Sequence, residues 1–382
     1  MGGVLSTYDQ SIEILNAYRT WAAHEESLKT DAGLIVYMDD LTLVPRSLPS
    51  NFSWRNVILD LGLQYDAPKN VELRKVSESR NFLLSRDKAP SRSLITECGG
   101  FLIPEDKIEA GISSLSEEID EIERSIEDDF PQIECDAITY TKDLAKSGFR
   151  YTKELWPTVK EFDLLIEPMP SHNLFLAQVI TDLQGRIVCR IREDSPINAR
   201  LAYTAVHEVL GHVLHFTQLR DNKTLSQEKP HLLALSLHTH EAFFIEGVTQ
   251  LFTYYLLTKS AWAFPGSRHA ALSCVKHMKM LGIMYRVTLE ILDGKTSLNR
   301  ASSRHLDFEK QPQNVQFLQE RYEATMQDLF SAKVMLNFFA SFCEAMPLAR
   351  LDVESFFKVL PEFMSTYFIP ETFLQFVSSN TK

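Results

Sequence analysis

Apolar residues recur at helical spacing along most of the chain, beginning with a stretch at about 6–30. A second stretch, from 104 to about 130, has an isoleucine-rich stripe opposite an acidic face, which is typical of an outer helix with a solvated face. Beyond Pro196 the spacing predicts further helices at 199–218, 233–259, 268–292, 314–345 and 352–378. The chain is therefore predicted to be mainly α-helical.

The clearest strand signal lies in the middle of the chain. Two segments with strand-like patterns, 174–180 and 186–191, flank the polar, glycine-containing sequence Asp182-Leu183-Gln184-Gly185. This order predicts a β-hairpin over 174–192. The expected fold class is thus mainly α with a small β-hairpin or sheet, and a boundary near residue 155 would separate a helical N-terminal region (1–155) from the rest (156–382).

The net charge of the chain limits the classes of partner that it is expected to bind. A formal net charge of -12 and a pI near 5.5 give no basic surface for nucleic acid or for an anionic membrane. A peptide or another small amide substrate fits this charge better. No feature of the sequence specifies an oligomeric state.

The cysteines and the N-terminal sequence are used to predict the cellular location of the protein. The five cysteines are scattered and form no CxxC pair, as expected for reduced thiols in a cytoplasmic protein. The N-terminus shows no basic and apolar leader, and no apolar run reaches membrane-spanning length, so a cytoplasmic location is predicted. The first six residues, Met1-Gly2-Gly3-Val4-Leu5-Ser6, match the loose N-myristoylation pattern, which has many chance matches.

Eight of the eleven histidines lie between His207 and His277, and the densest cluster contains His207, Glu208 and His212. In the common zinc-binding helix the two histidines are four residues apart, or about 40° around the axis. A spacing of five places them about 140° apart on a regular helix, where they cannot face one ion. Gly211 stands where a π-bulge or a loosened turn would restore a shared face, and such bulges often mark functional sites.

The sequence from 207 to 212, HEVLGH, resembles the HELLGH signature of the dipeptidyl peptidase III family, whose zinc helix carries the same extra residue. The segment 242–254 is similar to the EGWALY block of bacterial gluzincin-type proteins with the pattern HExxPGHH. Glu320-Arg321-Tyr322 is similar to an arginine–tyrosine pair that follows that block. The resemblance covers about residues 170–345.

The resemblance implies a zincin-like catalytic domain in a helical bundle, with the hairpin at 174–192, the zinc helix at 199–218 and the third-ligand helix at 233–259. It implies that His207, His212 and Glu246 bind Zn2+ and that Glu208 is the general base. Such a ligand set leaves a fourth position for water, whose pKa zinc lowers to about 7 in well-studied enzymes.

The expected function is that of a metallopeptidase or a related amidase acting on a short peptide or an amino-acid conjugate. The chain lacks the proline and the doubled histidine of HExxPGHH, and it also lacks the acidic EECRAE-type block of dipeptidyl peptidase III. The substrate preference of neither family therefore transfers.

Hydrolysis of an amide also needs a donor that stabilises the oxyanion of the tetrahedral intermediate. The candidates, in descending order, are Tyr322, Arg321, Tyr285 and His240. Tyr322 comes first because of the resemblance.

Other residues rival the proposed ligands. Glu241 precedes Glu246 by five residues, and His215 follows His212 by three, so that His215 would replace His207 on a regular helix. The segment 186–192 is expected to offer an extended edge that binds a peptide by strand addition.

Two other functions stay open. A non-haem iron or dimetal oxidase would use Glu208, His212, Glu241 and Glu246 from two facing helices, although the paired Glu-x-x-His motifs of that class are missing. A non-catalytic binding protein with the same fold would have no need of a general base such as Glu208.

Overall fold

The computed structural model describes residues 89–97, 102–171, 176–181, 187–221, 241–295, 329–366 and 370–381. Within these ranges the chain forms helices and a small three-stranded sheet, which confirms the mainly α fold class. None of the described helices has both the length and the apolar character needed to cross a bilayer.

The first part of the described chain contains α1 (Arg92–Glu97), α2 (Glu105–Arg124), α3 (Ala137–Leu155), β1 (Leu165–Met169), β2 (Ala177–Thr181) and β3 (Ile187–Arg192). A continuous helix follows, here called the histidine helix, which consists of α4 (Ala199–Ala205), a π-helical segment (Val206–Val213) and α5 (Leu214–Asp221). The remaining elements are α6 (Glu241–Thr258), α7 (Ser267–Leu292), α8 (Leu329–Ala345), a 3-10 helix (Met346–Arg350), α9 (Val353–Ser365) and α10 (Pro370–Asn380).

Helix α2 confirms the stripe predicted for the acidic stretch. Its buried residues recur every three or four positions and pack against α7 and α8: Ile108, Ile112, Leu115, Ile119 and Ile122. Ion pairs between Arg286 and Glu109 and between Lys276 and Glu123 flank the contact with α7. The helix ends at Arg124, before the predicted limit near 130.

The sheet has the order β1-β3-β2. Strands β2 and β3 pair antiparallel, which confirms the predicted hairpin, and β1 pairs parallel with the other side of β3. The sequence analysis missed β1, whose Glu167 and Pro168 interrupt the apolar pattern. The free edge expected at 186–192 is wrong, because β3 is the central strand and is paired on both sides; β1 and β2 form the outer strands.

The single helix predicted at 352–378 is also wrong, because the chain forms α9 and α10 instead. Thr366 follows α9 in an extended conformation, with φ of -98° and ψ of 141°. Pro370 begins α10, where its missing N–H is harmless, and a proline disfavours helical geometry in the residue before it.

Buried residues on both sides of residue 155 belong to one hydrophobic core, so the predicted boundary there separates segments that pack together. Helix α3 packs against the histidine helix, and Gly148 lies in this contact. A Cβ at this position would lie 2.2 Å from Leu210 Cδ1, so a larger residue would require side chains of the contact to move. The core therefore holds the histidine helix from the α3 side.

Candidate metal centre

The histidine helix begins at a polar cap. The Asn198 side chain accepts a hydrogen bond of 3.0 Å from the backbone N–H of Leu201, which satisfies one of the free donors of the first turn. Leu201, Ala202 and Ala205 are buried, so this turn is fixed in the core before the histidines begin.

The helix changes from α to π at Val206 and returns to α at Leu214. The predicted irregularity is thus confirmed, as a whole π-helical segment. Since π-helical hydrogen bonds join residues five apart, His207 and His212 lie one above the other, as residues four apart do in an α-helix. Their ring centroids are 4.8 Å apart and the rings are nearly perpendicular, at 85°.

Helix α6 packs directly against the π-helical segment. Gly211 lies in this contact, where a Cβ would be 2.2 Å from Cγ2 of Thr249. A side chain at this position would require Thr249 or α6 to move. Because Gly211 has no side chain, it allows α6, which carries Glu246, to pack close to the histidines.

Glu246 brings a carboxylate to the two imidazoles. Its Oε1 lies 3.3 Å from Nε2 of His212, and its Oε2 lies 3.6 Å from Nε2 of His207. One ligand atom from each of the three residues lies within 4.8 Å of the other two, and among the described residues no other set of three or more His, Cys, Asp and Glu side chains has such an arrangement.

These separations fit a tetrahedral metal ion. Ligand atoms bound about 2.1 Å from such an ion are about 3.4 Å apart, close to the two observed values. Two imidazole nitrogens with one carboxylate form a donor set found both at catalytic zinc sites and at non-haem iron(II) sites.

Glu246 and Glu208 differ in electrostatic character. Burial alone would raise the pKa of Glu246, but the charge of His212 and hydrogen bonds from His207 and His212 lower it well below its usual range. Burial raises the pKa of Glu208, opposed by His212 and His207 and reinforced by Glu246. Glu246 is therefore held as an anion, as a ligand requires, whereas Glu208 has a greater proton affinity, as a general base requires.

Three neighbours of the cluster were missed by the sequence analysis. Tyr203 packs its ring against that of His207, with centroids 5.9 Å apart, and Phe216 stacks on His212 at 5.8 Å. Thr249 Oγ1 lies 3.3 Å from Nδ1 of His212. Helical spacing was the available signal, because Tyr203 precedes His207 by four residues, Phe216 follows His212 by four and Thr249 follows Glu246 by three.

Among the candidate oxyanion donors, Tyr285 lies within the described residues. Its hydroxyl accepts a hydrogen bond of 2.9 Å from the backbone N–H of Ile103, and its ring packs against Phe339. Burial raises the pKa of this phenol above its usual range. The other three candidates, Tyr322, Arg321 and His240, lie outside the described residues.

Of the two rival ligands, His215 is buried in α5 and stacks against Phe216, outside the three-residue cluster. Burial, followed by the charge of His212, lowers the pKa of His215 to about 3. Glu241 is the first residue of α6, and its side chain lies outside the described part of the structure.

Comparison with known proteins adds a likeness of fold. No protein-family model matches the sequence, and no curated protein matches it significantly. The crystal structure of a "putative lipoprotein" from Colwellia psychrerythraea is similar to this chain, with a TM-score of 0.57 and 13% sequence identity. The similarity covers 86% of this chain and 65% of that one, so this chain spans less than two thirds of its length. At this identity the likeness concerns the fold alone.

Proposed function

We propose that the protein is a zinc-dependent hydrolase that cleaves an amide bond in a short peptide or an amino-acid conjugate. The observation that carries the proposal is the convergence of His207 Nε2, His212 Nε2 and the Glu246 carboxylate at separations that suit one tetrahedral ion. These residues would hold Zn2+. When bound, the ion supplies an open position at which water becomes acidic and a carbonyl becomes polarised.

Glu208 performs the proton transfers in this proposal. It directly follows His207 in the chain, lies outside the ligand set and is close enough to both histidines for their charges to affect its pKa. Its carboxylate takes a proton from the attacking water and then passes it to the leaving amine.

A non-haem iron oxidase could use the same three ligands, whereas an oxidase with two metal ions would need a larger ligand set. The cluster of the described residues has three members, drawn from the π-helical segment and α6, and Glu208 is not among them. The metal content of the purified protein separates the two functions. One zinc per chain supports hydrolysis, whereas one or two irons per chain with an oxygen-dependent optical spectrum would support the oxidase.

The decisive experiment measures metal content and turnover in the same samples. Wild type, Glu246→Ala and Glu208→Gln are analysed for bound metals and assayed against dipeptides, tripeptides and N-acyl amino acids. Glu246→Ala is expected to lose zinc, because it removes the only negatively charged ligand. Glu208→Gln is expected to keep zinc and to lose about 10²–10⁴-fold in turnover, as removal of a general base does.

Glu344→Gln is a matched control. Glu344 is also a largely buried carboxylate, but it pairs with Lys107 at 2.7 Å and lies outside the cluster. This variant should keep zinc even if it unfolds more easily. Stoichiometric zinc in Glu246→Ala would contradict the ligand assignment, and undiminished turnover of Glu208→Gln would contradict catalysis by that residue and favour a binding protein.

A further inference from the structure

Helix α6 contacts both nitrogens of the His212 ring. Glu246 Oε1 lies 3.3 Å from Nε2, and Thr249 Oγ1 lies 3.3 Å from Nδ1 on the opposite side of the ring. Glu246 and Thr249 are three residues apart and therefore lie on one face of the helix. A single helical turn thus supplies a carboxylate beside the metal position and a hydroxyl behind the imidazole.

Ring contacts restrict the plane of the His212 imidazole. Phe216 stacks on it at an angle of 20°, and His207 meets it edge-on. These contacts do not determine which nitrogen carries the hydrogen of the neutral ring. A metal ligand needs a lone pair on the nitrogen that faces the ion, so the hydrogen must be on the other nitrogen.

We propose that Thr249 is a positioning residue that accepts a hydrogen bond from Nδ1 of His212 and thereby keeps the Nε2 lone pair directed at the metal. This inference rests on the proposed zinc site. Histidines that bind metals commonly donate from their second nitrogen, and loss of that partner weakens metal binding about 10–100-fold. Thr249 is fully buried, so solvent cannot readily replace its hydroxyl.

The two branches of the Thr249 side chain have separate tasks. Its hydroxyl faces His212, whereas its methyl group, Cγ2, packs over Gly211. Valine keeps the methyl and the shape but lacks the hydroxyl, and serine keeps the hydroxyl but lacks the methyl. Thr249→Val and Thr249→Ser therefore separate the hydrogen bond from the packing.

Thr253 offers a matched control on the same helix. It is also fully buried and also lies close to Gly211, but its Oγ1 has no hydrogen-bond partner within the part of the chain that the structure describes. Thr253→Val therefore makes the same chemical change without removing a contact to a ligand.

The test measures the zinc affinity of the full-length protein by competition with a chelator. Thr249→Val should bind Zn2+ about 10–100-fold more weakly than wild type, while Thr249→Ser and Thr253→Val should bind with nearly wild-type affinity. Melting curves in excess EDTA check that each variant still unfolds cooperatively before the affinities are compared. The absorption spectrum of the Co2+-loaded protein should change in Thr249→Val and remain as in wild type in Thr253→Val.

Three outcomes would count against the inference. Wild-type affinity in Thr249→Val would overturn it while leaving the zinc site intact. Equal weakening in Thr249→Val and Thr253→Val would also overturn it, because the effect would then follow from the loss of any buried hydroxyl. A wild-type protein without affinity for zinc would overturn the proposed function itself, and the role of Thr249 with it.

Discussion

His212 and His215 are three residues apart on one helix, but their surroundings give them different chemistry. The Nε2 atom of His212 faces the Glu246 carboxylate, so that one metal ion could bind both groups. His215 is 2% exposed, its pKa is lowered to about 3 by burial and the charge of His212, and its Nδ1 has no hydrogen-bond partner within the described ranges. His215 is therefore neutral at physiological pH and serves the core.

This difference predicts opposite effects of the same substitution at the two positions. His212→Gln should lose zinc, since a carboxamide replaces an imidazole ligand, whereas His215→Gln should keep one zinc per chain. Metal analysis after dialysis against a weak chelator measures both. Loss of zinc in a folded His215→Gln variant would instead identify His215 as a ligand.

At the scale of the element, the π-helical segment places His207 and His212 on one face, which a regular α-helix cannot do. Five residues of α-helix would turn His212 about 140° away from His207, whereas the π segment brings the two rings into contact. Such segments are rare because they are less stable than α-helix. Here the segment is held by close packing against α3 at Leu210 and against α6 at Gly211.

Gly211→Ala tests the importance of this packing. The new methyl would lie 2.2 Å from Cγ2 of Thr249, so α6 or Thr249 must move. Overpacking of this kind costs about 1–3 kcal/mol of the free energy of unfolding. Urea denaturation should show this loss, and zinc affinity should fall with it because Glu246 moves with α6.

Thr249→Ser provides the matching rescue. It removes the methyl that clashes and keeps the hydroxyl that faces His212. The double variant Gly211→Ala/Thr249→Ser should therefore be more stable than the sum of the single effects, with a coupling of about 0.5–3 kcal/mol. Strict additivity would show that the contact at Gly211 does not limit the approach of the helices.

The cap of α9 predicts a dependence of stability on pH. Asp352 accepts a hydrogen bond of 2.8 Å from the Ser355 backbone N–H and one of 3.1 Å from its hydroxyl, and these lower the pKa of Asp352 in the folded state. The stabilisation is complete above the unfolded pKa, about 3.9, and is lost as the pH falls through the folded pKa.

Asp352→Asn keeps a good cap but does not titrate. As the pH is lowered from 5 towards 2, the urea concentration at the unfolding midpoint should therefore fall further for wild type than for Asp352→Asn. Asp352→Ala, which has no cap, should have a lower midpoint than wild type at pH 7. Parallel curves for wild type and Asp352→Asn in acid would contradict an ionised cap.

At the scale of the whole molecule, the fold class and the hairpin could be predicted because they follow from local periodicity. The stripe of α2 recurs at helical spacing, and the two strands of the hairpin are joined by a polar turn. The pairing of β1 with β3 could not be predicted, because it joins Leu165 to Val188 across 23 residues and depends on packing that no local pattern records. The central position of β3 follows from that same pairing.

Part of the candidate site could likewise be predicted from the sequence, and part of it could not. The spacing of His207 and His212, together with the nearby glycine, indicated a bulged helix from sequence alone. The partners of these ligands depend on which face α6 presents, so Thr249 was overlooked. Three-dimensional packing selects among polar residues that are equivalent in the sequence.

Metal removal should lower the stability of the whole molecule, because the ligands come from two helices of one core. An ion that binds only the folded state stabilises it by about 4 kcal/mol at a concentration 1,000 times its Kd. For 382 residues, with an unfolding entropy of about 2.1 cal/mol/K per residue, this amounts to a rise of about 5 °C in Tm. Calorimetry of EDTA-treated protein before and after addition of zinc measures the shift. Glu246→Ala should show little of it, and an equal shift in that variant would place the zinc among other side chains.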